Sequence, residues 1–394
     1  MRPNEHGTLF CKLDAIDAPA EYGEARLVWR FIGVEPHEFN SRAFEEGVTA
    51  FSLDIDTESI GLHSTVLNSF CRHPFDCNAC RPNIQSWFQI EYRPVGSSYA
   101  YLTFGATPPL SLTVTAIKRA KGLRLPTFPK YSAPTDIDTA SKYQCSSFEV
   151  GQGMASMVYN DSEGFLIDAG AGTPIKREKY QNKSSSLPCN HLKDLAASRK
   201  LRFFLSHGAS DPWRLLAWDK QLCDRVTEFV VPHGLESIPF FDKEVRARVR
   251  ELSADLPQLN LGNSANLNFY RTSPPSPTSN NNGLVAVFEN NGDRVLIAGD
   301  CVYSEMVKDN NSRVASLVSK NTGYKAVVVP HHGDDKSAAH VPRGTLTGAN
   351  AFFSAGNHPT YMHPRANSLN EHKNAGYAQL CNKNPLGIRE VPLI

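Results

Sequence analysis

Long apolar runs are missing from this chain of 394 residues, and none approaches the ~20 residues that a membrane-spanning helix requires. A surplus of either charge is missing too: 41 Lys and Arg against 40 Asp and Glu leave a net charge of +1. No overall field therefore draws the protein to nucleic acid or to a membrane, although a local basic groove stays open as an option. The stretch MRPNEHGTLFCKLDAIDAPA lacks the apolar core of a secretory signal, so a cytoplasmic location is expected. A disulfide framework is not in evidence. The nine cysteines are an odd number spread from Cys11 to Cys381, and in a chain this long they read as free thiols or metal ligands.

What is present is an ordinary globular composition, 41% apolar and 21% charged, at a length that suits two or three domains. Residues 1–140 are β-rich. Branched and aromatic residues at strand lengths fill 25–34, 87–95, 98–106 and 110–118, and 41–55 reads as a short helix before a strand. The stretch 118–142 is basic and then rich in Pro, Ser and Thr, which predicts a linker and a boundary near residue 140. Residues 141–394 open with hairpins and continue as strand–helix alternation. Strands are expected at 145–151, 156–161, 164–170, 201–206, 227–233, 284–290, 293–300, 325–333 and 351–356. Helices are expected at 188–200, 212–226, 240–256 and 366–380. This order suits sheets covered by helices.

The residues able to do chemistry stand at the ends of those strands. LIDAG carries Asp168, LSHGASD carries His207 and Asp211, LIAGD carries Asp300, and VVVPHHG carries His331 and His332. A single Asp after a strand is usually a cap or turn residue. Several His and Asp at successive strand ends are harder to explain that way, because imidazole and carboxylate are what zinc or manganese takes in hydrolytic sites.

Five segments in order then resemble the metallo-β-lactamase fold, and most closely its metallo-hydrolase branch in DNA-uptake competence proteins. They are FEVGQGMASMVYNDSEGFLIDAG (148–170), FLSHGASDPW (204–213), NNNGLVAVFENNGDRVLIAGD (280–300), VVVPHHGDD (327–335) and FFSAGNHPTYMHPRANSLNEHKNAG (352–376). The resemblance implies an α/β chain, with an αββα sandwich over 141–394 behind the β-rich N-terminal domain. It implies metal ligands at His207, Asp211, Asp300 and one of His331 or His332. Asp168 would orient the loop, and Asp211 and His363 would serve catalysis, His363 by lining the pocket. The second segment is degenerate: Ala209 and Pro212 stand where the family places histidines. The remaining ligands suit one divalent ion, zinc or manganese, rather than two.

Two smaller signals lie outside this pattern. Cys71, His73, Cys77 and Cys80 fall within ten residues and could hold a structural zinc, or be free thiols in a loop. Lys118, Arg119, Lys121 and Arg124 form a basic run without aromatics, which reads as a solvated linker. Two functions follow as expectations. One is a metal-dependent hydrolase with an altered single-metal site, acting on a phosphodiester or nucleotide. The other is a catalytically degenerate subunit that binds a partner protein through the N-terminal domain. No membrane partner is expected.

Overall fold

A computed structural model of the chain describes residues 6–23, 27–56, 86–182, 187–319, 322–345, 348–356, 361–382 and 387–394. The candidate zinc residues Cys71, His73, Cys77 and Cys80 lie outside the described residues. No helix among those described is long and apolar enough to cross a membrane.

The N-terminal strands close on themselves. Gly7–Ala18 pairs with Val28–Val34, which pairs with Phe51–Asp56, and both ends of this ribbon pair with Trp87–Leu102. That last strand was expected as two, at 87–95 and 98–106. It is one continuous strand of 16 residues with a register shift between Pro94 and Ser98. The bulge lets its first half pair with Gly7–Ala18 and its second half with Phe51–Asp56, which closes a small barrel. Leu110–Arg119 runs along its outer side. Leu9, Phe31, Leu53, Phe88, Ile90 and Val114 fill the interior.

The rest of the described chain builds two seven-stranded sheets with one plan. In the first, Gln144–Phe148, Ala155–Tyr159 and Glu163–Ala169 form an antiparallel meander, and Lys200–Phe204, Val226–Pro232 and Val249–Leu252 then add in parallel. In the second, Leu256–Gly262, Ala265–Arg271, Leu284–Asn290 and Asp293–Ile297 are antiparallel, and Ala326–Val328, Asn350–Ser354 and Ala378–Asn382 follow in parallel. Glu390–Pro392 returns to the free edge of the first sheet. The two sheets face each other across a core of Val158, Phe165, Phe204, Leu267, Phe269 and Phe288, with Phe204 stacked on Phe269 at 3.9 Å. Helices 191–196, 214–218 and 220–225 contribute to a second core that includes the first sheet's Phe203 and Phe229. Helices 303–307 and 312–316 contribute to a third, with the second sheet's Val287 and Phe353. The chain is thus mixed α/β and rich in sheet.

The expected helix over 240–256 is not there. Two short 3-10 turns, Ile238–Phe241 and Arg246–Arg248, lead straight into Val249–Leu252. Phe240, Phe241, Val245 and Val249 are all buried, and Val249 pairs in parallel with Phe229. Sheet extension has overridden a helical charge pattern. The expected 212–226 helix is broken at Asp219, which ends Arg214–Trp218 and caps Lys220–Arg225 through Leu222 N.

Barrel and sheets share a core. Phe44 and Phe128 of the N-terminal part pack on Phe241, and Ala50 N donates to Asp242 Oδ2 at 2.9 Å. Glu21 of the barrel side receives Trp218 Nε1 at 3.2 Å and lies 3.3 to 3.9 Å from Arg30, Arg177 and Arg214. Trimming Phe241 to Ala should therefore cost about 3–5 kcal/mol, and urea unfolding followed by tryptophan fluorescence and by circular dichroism should give one coincident transition. Two separated transitions would show that the barrel and sheets fold independently.

Candidate metal centre

Four loops meet at one rim of the two sheets. The strand Lys200–Phe204 ends at Leu205, and the next residue is clamped on three sides. Ser206 N donates to Asp168 Oδ1 at 2.8 Å, its carbonyl accepts Leu284 N at 2.7 Å, and its Oγ lies 2.9 Å from His207 Nδ1. With Nδ1 held, His207 Nε2 faces Asp300 Oδ2 at 3.3 Å. Two glycines make this crowding tolerable. A Cβ at Gly299, which has φ +55°, would lie 2.4 Å from Ser206 Oγ, and one at Gly170 would lie 2.2 Å from Asp211 O.

Asp211 and the two adjacent histidines complete the cluster. His332 Nδ1 bonds Ser354 O at 2.8 Å, so Nε2 points inward, 3.1 Å from Asp211 Oδ2 and 3.9 Å from Asp300 Oδ1. A backbone carbonyl on Nδ1 is the arrangement that frees Nε2 as a lone-pair donor. His331 is held differently, with Nδ1 2.8 Å from Asp334 Oδ2 and Nε2 3.8 Å from Asp300 Oδ2. Asn280 Nδ2 sits 3.2 Å from that Nε2. Both histidines have left-handed backbones, φ +49° and +57°, a strain of about 1–3 kcal/mol each that the surrounding bonds must hold. The His363 ring lies 6.1 Å from that of His332 and 5.9 Å from that of His331.

The charges here are strongly coupled. Burial disfavours a charged His207, but the facing Asp300 carboxylate, with Asp211 and Asp168 behind it, outweighs burial and pushes the imidazole up to about 9. Burial also opposes ionisation of Asp300, yet His207, His331 and His332 together hold its carboxyl well below the usual range. Burial pushes Asp168 up to about 7 despite its bond to Ser206. His363 goes the other way: burial, helped by its neighbours His332 and His331, pushes it down to about 3, so it is neutral at pH 7.

The residues fit a divalent cation. His207 Nε2 and Asp300 Oδ1 are buried with no hydrogen-bond partner among the described residues. Ligand atoms of His207, Asp211 and Asp300 all lie within 4.8 Å of one another. Imidazole nitrogen with carboxylate oxygen is the donor set that zinc and manganese accept.

The structure therefore brings His207, Asp211, Asp300, His331, His332 and His363 to one place. It separates His332, whose Nε2 turns toward both aspartates, from His331, which is braced by Asp334. Asp168 is hydrogen-bonded to the loop through Ser206 N and acts on His207 by its charge. Pro212 lies just before Trp213, the residue that caps helix 214–218, and its carbonyl accepts Ala169 N at 2.7 Å. Ser206 and the Ser354 carbonyl were not singled out in the sequence: a serine beside a histidine has no distinctive spacing, and a carbonyl leaves no residue signature.

No protein-family model matches the chain, and no curated protein matches it. Solved structures do. The metallo-beta-lactamase fold protein YhfI from Bacillus subtilis aligns over 64% of this chain and 100% of its own, with 11% identity and a TM-score of 0.37. Unliganded yeast PDE1 aligns over 62% of this chain and 98% of its own, with 13% identity and a TM-score of 0.39. Zn(2+)-bound PqqB from Methylobacterium extorquens aligns over 60% and 86%, with 11% identity and a TM-score of 0.35.

Two measurements follow from the charges. His207 must lose a proton to bind a cation, so manganese affinity should rise by up to ~10-fold per pH unit between pH 7 and about 9 and then level off, as titration calorimetry at several pH values will show. In the metal-free protein the folded pKa of His207 lies above its unfolded ~6.5. The stabilisation from its pairing with Asp300 is thus complete below pH ~6.5 and lost as pH rises through about 9. The stability gap between wild type and Asp300→Asn, measured in urea, should narrow over that interval. A gap that widens contradicts the pairing.

Proposed function

We propose that this chain is a metal-dependent hydrolase of the metallo-β-lactamase type with a single-cation centre. In this reading residues 141–394 form the αββα sandwich and residues 1–140 a β-rich N-terminal domain packed against it. His207, Asp211, Asp300 and His332 hold the ion, zinc or manganese. The observation that carries the reading is the pair of buried ligand atoms without a hydrogen-bond partner among the described residues, His207 Nε2 and Asp300 Oδ1, gathered with Asp211 and His332. The substrate class, a phosphodiester or nucleotide, rests on the resemblance of residues 280–300 and 327–335 to the competence-protein branch.

When bound, a divalent cation supplies Lewis acidity, lowering the pKa of water to about 7 and polarising an ester oxygen. The protein's own groups do the rest. Asp211, its side chain partly open to solvent, accepts a hydrogen bond from the attacking water at a carboxylate oxygen. His331 carries a proton readily, because Asp300 and Asp334 raise its pKa against the burial that lowers it. With Asp334 on Nδ1, its Nε2 is the atom placed to pass that proton to the leaving oxygen. His363 stays neutral and contacts the leaving group as an uncharged hydrogen-bonding partner.

Ala209 and Pro212, which cannot bind a metal, favour the second reading, a non-catalytic subunit that engages a partner protein through the N-terminal domain. Elemental analysis separates the two. The purified chain should carry about one zinc or manganese, and the His207→Ala/Asp300→Ala double variant should carry none. Hydrolysis of bis(4-nitrophenyl) phosphate should fall at least ~100-fold in the double variant. Metal that persists in the double variant and disappears only with Cys77→Ser/Cys80→Ser would assign it to the N-terminal cysteines instead.

A further inference from the structure

A cavity of about 580 Å³ opens where the barrel meets the ligand loop. That is the size of an ordinary small-molecule site. Lys12 and Asp14 of the barrel, Gly208 and Ala209 of the loop between His207 and Asp211, and Glu236 and Ser279 are among its lining residues. The cavity adjoins the candidate centre along the chain: Gly208 and Ala209, which line it, stand between His207 and Asp211, and Ser279, which also lines it, precedes Asn280, whose Nδ2 is 3.4 Å from Asp300 Oδ2. The small side chain at 209 leaves this space open.

The wall is not charge-neutral by pairing alone. Lys12 Nζ is taken by Glu236 Oε2 at 2.9 Å, which fixes both side chains. Asp14 is not paired in this way: burial pushes its carboxyl up, against the pull of Arg30, Arg214 and Ser210, and its Oδ2 is buried without a hydrogen-bond partner among the described residues. A carboxylate with spare acceptor capacity at the wall of a cleft suits vicinal hydroxyls, as acidic side chains on ribose do elsewhere. Leaving it unmet carries a desolvation cost that a ligand's donors would remove.

We propose that the barrel supplies the substrate-recognition wall of the centre, and that Asp14 accepts hydrogen bonds from the hydroxyls of a sugar-bearing phosphoester. The proposal rests on the metal-centre reading for where the phosphoryl group lies. It assigns to the N-terminal barrel a part in the site itself, and makes Asp14 a specificity-determining residue.

The test is titration calorimetry of the full chain with manganese, using ribose 5-phosphate and ethyl phosphate as probes. Ribose 5-phosphate should bind about 10-fold more tightly, the size of a hydrogen bond to a charged group. Asp14→Ala should bring the two probes within ~2-fold of each other while leaving ethyl phosphate affinity and manganese content unchanged, and Asp14→Asn, which keeps a carbonyl acceptor, should fall between. Ribose alone needs no cation; it should bind even the metal-stripped chain and weaken at least ~5-fold in Asp14→Ala. A sugar preference that is absent in wild type, or that survives in Asp14→Ala, overturns the proposal. So does a loss of ethyl phosphate affinity or manganese equal to the loss of ribose 5-phosphate affinity. A chain that binds ribose through Asp14 but no manganese would instead sink the metal-centre reading alone.

Discussion

The Asp300 carboxylate is the point on which the site depends. Three imidazole Nε2 atoms, from His207, His331 and His332, lie between 3.3 and 3.9 Å from its two oxygens. A buried carboxylate is tolerable only when positive charge or hydrogen bonds surround it. In the metal-free protein part of that charge is the proton on His207, which is why His207 is raised and Asp300 lowered together. A cation at the same place would do the same work. The site is thus built around a charge that either protons or a metal can satisfy.

Holding that carboxylate in place is the task of the fold. Each seven-stranded sheet starts as a meander and ends in parallel strands, so the loops after Glu163–Ala169, Lys200–Phe204, Asp293–Ile297 and Ala326–Val328 all emerge at one rim. Backbone bonds tie those loops to one another: Ala169 N to Pro212 O, Leu284 N to Ser206 O, and His331 N to Gly299 O. The barrel packs against the same region through Phe44, Phe128 and Glu21, and Arg214 carries that contact to Ser210 at 3.0 Å. Rigid framing of this kind is what lets two adjacent histidines keep left-handed backbones.

Most of this was legible in the residues. The strand ends carrying Asp168, His207, Asp300 and His331–His332 are marked by apolar runs that stop at Gly, His or Asp, although the strands expected over 293–300 and 325–333 end earlier, at Ile297 and Val328, and leave Asp300 and both histidines in the turns beyond. The gathering of Asp211 and His363 with them is a tertiary fact that order along the chain only suggests. The choice between His331 and His332 was open in the sequence, because it turns on which ring nitrogen meets Asp334 and which meets the Ser354 carbonyl. The stretch 240–256 misled because its alternating charges look helical, whereas Val249 and its neighbours answer to the edge of a sheet. The strands Gly7–Ala18 and Ala265–Arg271 were missed for a related reason: polar residues such as Lys12, Asp14 and Asn268 interrupt them and are buried or half-buried by their neighbours.

The central claim is that one cation lies between imidazole and carboxylate ligands drawn from different strand ends. X-ray absorption at the metal edge of the manganese- or zinc-loaded protein tests it most directly. The account predicts a first shell of nitrogen and oxygen only, with the outer-shell scattering of about two imidazoles, near 2.0–2.2 Å for zinc. Sulfur scattering near 2.3 Å would place the metal on cysteines and contradict the account.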